Sequence, residues 1–399
     1  MNPQDITYQP APVKSFVIVG KDKISSAEKY LIGLLSTYKH LYAFIDKQLM
    51  MKSQIVRDLA VDLQEMGCPM RAVEATEETK TMDSVMEICS WLMEKGADRD
   101  AVLVAIGGGI TTDMVGFAAG IYKRGVRYVN VPSTLLAQVD AALGGKSGVN
   151  FEKYKNILGV IRQPSITFIW PSLLTTLPRR DFLSGAAEML KTFMIEDEGN
   201  YRKAADLFFD MSSEYNMEVL MNGKNEKKTW AGIMKKHMDT LCELIAAAAD
   251  VKAGVVSRDP FEKEERRKLN LGHTFAHAIE TLAQRDGGER FQHPEDPQLP
   301  QGVTHGEAVA MGLVLAARLA DRYFRKDKND PTELEGMISN DLWDSDIPCY
   351  CPYTVEEMAE TMKKDKKAEG GKVHFVLPKS VGEVEIVALT VDEVCRLME

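Results

Sequence analysis

Long apolar runs, paired cysteine motifs and an excess of basic charge are all missing from this sequence. No stretch reaches the ~20 uninterrupted apolar residues of a membrane span, so we expect no membrane partner. The 6 cysteines are scattered, and the close pair Cys349 and Cys351 has no second pair to complete a zinc site. A net charge of −10 argues against a nucleic-acid partner. With no signal-peptide pattern in residues 1–7, we expect reduced thiols and a cytoplasmic protein.

The patterns that are present indicate two domains. The 399 residues exceed the ~250–300 at which a single core stops growing. In the first part, apolar β-branched runs such as 101–106 alternate with helical patterns, which predicts an open α/β layer. Helical patterns then dominate until a short late strand at 373–377. We therefore predict an α/β domain over residues 1–175, a mainly helical domain over 176–399, and a long loop at 286–304.

Two glycine-rich segments are suited to binding anions. Gly107–Gly109 join a buried strand to a helix, where backbone N–H groups can hold a phosphate, although G-x-G-x-x-G spacing is absent. A plain tight turn is the alternative. Asp46, at the end of an earlier strand, can hydrogen-bond a ribose hydroxyl. A second bend presents Lys146, followed by Lys155 and Asn156, but it lacks the first glycine of a P-loop. This bend suits an anionic small molecule, and a solvated lysine turn is the alternative.

A few of the 7 histidines form a suggestive pattern with one carboxylate. His273 and His277 lie one helical turn apart on the same face, so both can bind one metal, or one can act as acid or base. His305 precedes an apolar helical pattern, and Glu188 and Lys191 lie within another. Two imidazoles and a carboxylate from three helices would form a zinc-type site with open positions. For any single histidine, a satisfied core residue is the alternative, and the absence of H-E-x-x-H disfavours a metalloprotease.

Basic residues close to these segments form a second theme. Lys191 and Lys252 lie within apolar helical patterns, where a purely solvated role is uncommon. Arg266 lies shortly before the histidine-bearing segment. A substrate that carries both a phosphate and a carboxylate would account for these cations.

In combination, these blocks closely resemble the 3-dehydroquinate synthase family, from about residue 100 to residue 320. The matching blocks are GGG at 107–109, PSTLLAQVD at 132–140, GGKSGVN at 144–150, AEMLK at 187–191, LNLGHTFAHAIE at 269–280 and HGE at 305–307. One difference is Ala276, where the family has a second glycine in GHTFGH. Another is the length of 286–304, whose His293 is an alternative to His305 as a ligand.

The resemblance implies a Rossmann-like NAD-binding domain followed by a helical domain, with the active site between them. It implies a divalent metal, zinc or cobalt, held by Glu188, His273 and His305. The positions that match the family's NAD contacts are Asp46, Glu77, Lys80, Gly108, Gly109, Asp113, Thr134 and Leu136.

The resemblance also implies the residues that contact the substrate. The matching positions are Asp140, Lys146, Lys155, Asn156, Lys191, Lys252, Arg266, Asn270 and His277. Lys366 matches a late phosphate-binding lysine, with Lys367 as the alternative register. Arg124 is expected to reach the neighbouring subunit's site in a homodimer.

The reaction that the resemblance implies makes 3-dehydroquinate and phosphate from 3-deoxy-D-arabino-heptulosonate 7-phosphate. This lyase step belongs to the shikimate pathway and chorismate biosynthesis, which supply aromatic amino acids. It combines a transient oxidation by NAD, phosphate elimination, reduction and an intramolecular aldol, with His277 as the expected proton-transfer group.

Three alternatives are weighed against this function. A sedoheptulose 7-phosphate cyclase would share the fold but act on a substrate without a carboxylate, which Arg266 and Asn270 argue against. A metal- and NAD-dependent alcohol dehydrogenase would leave the lysine-rich pocket without a purpose. A non-catalytic binding protein with the same fold is the third alternative, and no missing residue in the site motifs supports it.

Overall fold

The computed structural model describes residues 15–20, 24–152, 154–291, 302–324, 334–363 and 371–399. The strands are β1 (Phe16–Val19), β2 (Leu41–Asp46), β3 (Met70–Val73), β4 (Val102–Gly107), β5 (Arg127–Pro132), β6 (Lys146–Phe151), β7 (Tyr154–Ile161), β8 (Ile166–Ile169), β9 (Val373–Ser380) and β10 (Glu383–Leu389).

The helices are α1 (Ile24–Leu35), α2 (Lys47–Lys52), α3 (Gln54–Glu65), α4 (Met82–Glu94), α5 (Gly109–Ile121), α6 (Arg179–Glu196), α7 (Glu198–Asn216), α8 (Glu226–Lys236), α9 (Met238–Arg258), α10 (His273–Arg285), α11 (His305–Phe324), α12 (Leu334–Asp344), α13 (Val355–Lys363) and α14 (Val391–Met398). Within the described residues, no helix combines the length and apolar character needed to cross a membrane.

The first half of the chain is built on a parallel sheet, as its alternating pattern predicts. Six strands lie in the order β1-β8-β5-β4-β2-β3, and every neighbouring pair is parallel. The central strand β4 is buried throughout, because helices cover both faces of the sheet. Parallel strands end at one common edge, and this edge carries Asp46 at the end of β2 and Gly107 at the end of β4.

A hairpin of β6 and β7 lies against α5, outside the main sheet. Sequence patterns do not predict it, because Gly144, Gly145 and Gly148, just before and within its first strand, are typical of a loop. Gly120 of α5 leaves room for it, since a Cβ there would lie 2.7 Å from Val160 Cγ2. The hairpin therefore carries Lys146, Lys155 and Asn156 on a framework fixed to the first half of the chain.

The second half is mainly helical around α6 and α11, which are buried for most of their length. The predicted late strand is present as β9, and it pairs with β10 in an antiparallel hairpin that the sequence patterns did not predict. Leu135, Val139 and Leu143 from the first half pack into the core of the second. The two halves are thus joined by apolar contact, and the boundary at residue 175 stays a prediction.

We expect the helical core around α6 to dominate the free energy of unfolding of this half. Phe193 on α6 is completely buried. Phe193→Ala should lower the free energy of unfolding by about 3–5 kcal/mol, because it leaves a cavity in a packed core. The matched control is Phe209→Ala on α7, where the side chain is 48% exposed, and urea denaturation measures both. Equal effects of the two substitutions would contradict this description of the core.

Candidate active site

Three side chains from three helices converge on one point. Glu188 lies in the middle of α6, while His273 and His305 begin α10 and α11. One ligand atom from each lies within 4.8 Å of the others. Glu188 Oε1 is 3.1 Å from His305 Nε2 and 3.6 Å from His273 Nε2. The three residues that the sequence nominates as metal ligands are therefore brought together.

Glycines let the three helices approach closely enough for this convergence. A Cβ on Gly306 would overlap the carbonyl oxygen of Ser184, and the Gly306 N–H donates to Ser184 Oγ at 3.0 Å. A Cβ on Gly312 would overlap the carbonyl oxygen of Gly272, which has a φ of 75° at the start of α10. The beginning of α11 is thus seated directly on α6 and α10.

An ion pair fixes the start of α11 from the other side. Arg180 Nε lies 2.6 Å from Glu307 Oε1, and Arg180 Nη2 lies 2.7 Å from Oε2. Arg180 also donates to the Gly302 carbonyl, and Glu307 accepts the Thr304 N–H. These contacts hold the residues that lead directly into His305, a positioning role that the sequence did not indicate.

The backbone and a second carboxylate set the orientation of both histidine rings. His273 Nδ1 lies 3.1 Å from the Leu271 carbonyl, which can only accept, so Nδ1 carries the proton and Nε2 presents its lone pair. His305 Nδ1 lies 3.5 Å from Glu280 Oε1, again leaving Nε2 toward Glu188. Metal-ligating histidines commonly have such a partner on the second ring nitrogen.

The Glu188 carboxylate is the best test of whether a cation fits here. It is fully buried, and among the described residues neither oxygen has a hydrogen bond of normal geometry. Lys191 Nζ makes an ion-pair contact at 2.6 Å with Oε2. A buried carboxylate short of hydrogen bonds is costly unless a cation satisfies it. The donor set of two imidazoles and one carboxylate suits a divalent transition metal.

The pKa shifts around this point follow from burial and charge. Burial alone raises the pKa of Glu188, but Lys191, His305 and His273 outweigh it and hold the pKa well below its ordinary value. Burial and the charge of Lys191 lower the pKa of His273, so its imidazole is neutral. Burial opposes the charge on His305, yet Glu188 and Glu280 raise its pKa to about 10. A cation that binds His305 Nε2 therefore replaces a proton.

Two buried lysines and an aspartate lie next to the three ligands. Lys252 Nζ donates to the Asp140 carbonyl at 2.5 Å and contacts its carboxylate, and Lys191 Nζ lies 3.9 Å from Asp140 Oδ1. Burial lowers the pKa of Lys252. Burial would raise the pKa of Asp140, but Lys191 and Lys252 outweigh it and lower that pKa. This group joins α6 and α9 to the short helical turn that contains Asp140.

A second cluster surrounds Glu262, which sequence reasoning missed. Its carboxylate pairs with Lys146 of the hairpin and accepts from Asn270 Nδ2 at 2.8 Å. Arg266 lies nearby, and its guanidinium donates to the main-chain oxygens of Gly144 and Pro260, both at 2.8 Å. Arg266 therefore also ties the glycine-rich bend to the loop after α9. No sequence signal marks Glu262, which stands in a strongly charged segment.

Several predicted cofactor residues form a network on the first half of the chain. Buried Lys80 contacts Asp113 Oδ2 and Asn156 Oδ1, each at 2.6 Å. Burial raises the pKa of Asp113 to about 6, even though Lys80 opposes this. Asn150 Nδ2 donates to Glu77 Oε1 at 2.9 Å, and Asn150 Oδ1 accepts the N–H of Asn156. Asn156, predicted to contact substrate, thus shares a network with residues predicted to contact NAD.

The glycine turn after β4 forms a close-packed cradle at the N-terminus of α5. Gly108 precedes the helix, and within the described chain no side chain caps this end. A Cβ on Gly108 would lie 3.0 Å from Thr134 Cγ2, and a Cβ on Gly109 would lie 3.2 Å from Ala141 Cβ, with Leu136 Cδ2 at 4.0 Å. Asp46 caps α2 by accepting the Leu49 N–H at 2.9 Å. An uncapped N-terminus behind glycines fits the pyrophosphate of a dinucleotide.

Some predicted site residues are not part of these clusters. Arg124 is exposed and lies beyond the C-terminal end of α5, about 18 Å along the helix from the glycine cradle. His277 is exposed, and its ring centroid lies 5.6 Å from that of His273. Lys366, the alternative Lys367 and the alternative ligand His293 lie outside the described residues.

Glu280 is a further residue that sequence reasoning quoted in a motif but did not assign. It lies on α10, where Oε1 is 3.1 Å from Lys155 Nζ as well as 3.5 Å from His305 Nδ1. Its position seven residues after His273, on nearly the same helix face, was the available signal.

Solved structures similar to this chain include cyclases and dehydrogenases. A 2-epi-5-epi-valiolone synthase from Streptomyces hygroscopicus, solved with NAD+ and Zn2+ bound, has a TM-score of 0.74 at 24% identity, covering 98% of each chain. A 2-deoxy-scyllo-inosose synthase has a TM-score of 0.70 at 23% identity, covering 96% of this chain and 95% of the other. NADH-dependent butanol dehydrogenase A from Thermotoga maritima has a TM-score of 0.60 at 13% identity, covering 99% and 98%. The fold is therefore that of the sugar phosphate cyclases, and it extends to these dehydrogenases.

Sequence comparison narrows this class to one family. The 3-dehydroquinate synthase N-terminal and C-terminal family models match residues 70–184 and 185–368. The 3-dehydroquinate synthase of Dictyoglomus thermophilum is 37% identical over 315 residues, or 79% of this chain and 77% of its own. That of Alkaliphilus metalliredigens is 33% identical over 371 residues, or 92% and 93%. The chain belongs to the 3-dehydroquinate synthase family.

The close contact between α11 and α6 predicts that Gly306 does not tolerate a larger side chain. Gly306→Ala should push the two helices apart, lower the free energy of unfolding by about 1–3 kcal/mol and reduce bound zinc. The matched control is Gly232→Ala on α8, where a Cβ meets no atom within 4 Å, and it should keep its zinc. Urea denaturation and zinc content after dialysis measure both effects. Wild-type zinc content and stability in Gly306→Ala would contradict this geometry.

Proposed function

We propose that this protein converts 3-deoxy-D-arabino-heptulosonate 7-phosphate to 3-dehydroquinate and phosphate, using NAD and a divalent cation, zinc or cobalt. The observation that carries the proposal is the convergence of Glu188, His273 and His305 beside two buried lysines. Family membership supports the reaction, and the valiolone and scyllo-inosose synthases were solved with NAD+ and with Zn2+ or Co2+.

Separate sets of residues would hold the two cofactors. When bound, the cation polarises a substrate oxygen and the nicotinamide accepts and returns a hydride. Glu188, His273 and His305 would hold the cation. The uncapped N-terminus of α5 behind Gly108 and Gly109 would hold the dinucleotide phosphates. The remaining predicted NAD contacts are Asp46, Glu77, Lys80, Asp113, Thr134 and Leu136.

Charged and polar groups at the rim would hold the two anionic ends of the substrate. Lys146, Lys155 and Asn156 on the hairpin form a set suited to the phosphate, with Lys366 as a further candidate. Arg266 uses two of its five donors on main-chain oxygens and would use others for the carboxylate, beside Asn270. Because Glu262 pairs with Lys146 and Asn270 in the free protein, a bound anion would have to take its place.

The groups near the cation would fix the reacting carbons and move protons. Asp140 and the buried Lys191 and Lys252 present charges with which a substrate's hydroxyl groups can form hydrogen bonds. His277, accessible to solvent and next to His273, is the proposed proton-transfer group.

We also propose that the enzyme acts as a homodimer in the cytoplasm, with Arg124 serving the partner's site. The role of Arg124 is supported by its position in the fold. Arg124 is exposed at the end of α5 remote from the glycine cradle, so it is badly placed to act in its own subunit.

The function is tested by offering two sugar phosphates to the protein with NAD+ and zinc. We expect phosphate to be released from the heptulosonate phosphate without lasting NADH, because the hydride is returned within each turnover. His273→Ala and Lys252→Ala should abolish release, while Lys235→Ala at an exposed position on α8 should not. Turnover of sedoheptulose 7-phosphate in place of the heptulosonate would establish the alternative cyclase, and accumulating NADH would establish a dehydrogenase.

Subunit mixing tests the proposed role of Arg124. Arg124→Ala and His273→Ala should each be inactive alone. After random mixing, about one quarter of wild-type activity should return, since each mixed dimer has one complete site. Mixing His273→Ala with Lys252→Ala is the control, because both residues serve their own subunit and no site is completed. If both mixtures remain inactive, Arg124 does not act across a dimer interface.

A further inference from the structure

Glu280 connects the hairpin of the first half to the cation site of the second. It lies on α10 with a side chain only 10% exposed. Its Oε1 atom is 3.1 Å from Lys155 Nζ, on β7, and 3.5 Å from His305 Nδ1, on α11. His305 in turn points Nε2 at Glu188. One carboxylate oxygen is therefore shared between a lysine at the anion rim and a ring at the cation site.

Sharing one acceptor makes its two partners compete. The ammonium of Lys155 draws negative charge of Glu280 toward itself and away from His305 Nδ1. A carboxylate behind a metal-binding imidazole fixes the ring and increases the basicity of its other nitrogen. A stronger interaction between the Glu280 carboxylate and His305 Nδ1 therefore makes His305 Nε2 a stronger metal ligand.

Lys155 is the most exposed member of this arrangement. Its side chain is 47% exposed, whereas the ring of His305 is held between two carboxylates. An anion at the hairpin rim can draw the ammonium away from Glu280, and Glu280 then serves His305 alone.

We propose that Glu280 is a positioning residue that couples anion binding at Lys155 to the affinity of the cation site, through His305. The inference rests on the proposed function for the places of the cation and the phosphate. Because such coupling is reciprocal, a bound anion raises the affinity for the cation, and a bound cation raises the affinity for the anion by the same factor. Release of the phosphate product then lowers the affinity for the cation again.

Cobalt titration of the metal-free protein tests the coupling without turnover. Glu280→Gln keeps the size of the side chain but loses its charge, and it should weaken Co2+ binding by roughly 10–100-fold. Lys155→Met removes the competitor and should strengthen Co2+ binding by about 5-fold or more. The matched control is Lys146→Met, which removes a cation of the same hairpin that pairs with Glu262 and should leave Co2+ affinity unchanged.

Inorganic phosphate provides the second arm of this experiment. Phosphate should strengthen Co2+ binding to the wild type, with a change in the cobalt absorption spectrum, and should do neither in Lys155→Met or Glu280→Gln. Phosphate also associates with free Co2+, but this effect is equal in the wild-type and variant titrations and cancels in the comparison. Circular dichroism and thermal melting confirm that each variant is folded.

The results separate this inference from the function on which it rests. Equal Co2+ affinities of wild type and Lys155→Met overturn the coupling while leaving the cation site in place. Wild-type affinity in Glu280→Gln overturns the positioning role. Failure of Co2+ to bind the wild-type protein contradicts the proposed cation site itself.

Discussion

The burial of the Glu188 carboxylate is the constraint on which the rest of the site depends. A charge buried in the protein interior is strongly unfavourable unless other charges compensate it. Lys191, His305 and His273 supply that compensation from α6 itself and from the starts of two other helices. The glycine contacts among these helices are needed because the ligand atoms must approach to within 4.8 Å of one another. Packing and electrostatics therefore specify the same arrangement.

The same principle of paired charge extends to the rim of the site. At the rim, Lys146 pairs with Glu262 and Lys155 with Glu280, while Lys252 pairs with Asp140 next to the three ligands. In the free protein, these carboxylates keep several cations close together without uncompensated repulsion. An anionic substrate would exchange partners with them rather than create new charge. Two of the pairs join the hairpin to the second half of the chain, so an anion bound there would engage the same residues that connect the two halves.

Alternation and helical spacing, which are local signals, predicted the parallel sheet and the helical second half. Sequence patterns also indicated a site of two imidazoles and one carboxylate, but the choice of Glu188, His273 and His305 depended on the family resemblance, because no local pattern joins residues so far apart in the chain. The β6–β7 hairpin was missed because Gly144, Gly145 and Gly148, just before and within its first strand, are typical of a loop. Glu262 and Arg180 were missed for another reason, since their partners Lys146 and Glu307 lie 116 and 127 residues away. Such pairs exist only once the chain has folded, and acidic residues in polar segments give no local sign of them.

X-ray absorption of the zinc-loaded protein identifies the atoms that bind the metal. We expect one zinc ion per chain, bound by two imidazole nitrogens and one carboxylate oxygen, with one imidazole lost in His305→Ala. Sulfur among the ligands, or an unchanged spectrum in His305→Ala, would contradict this expectation.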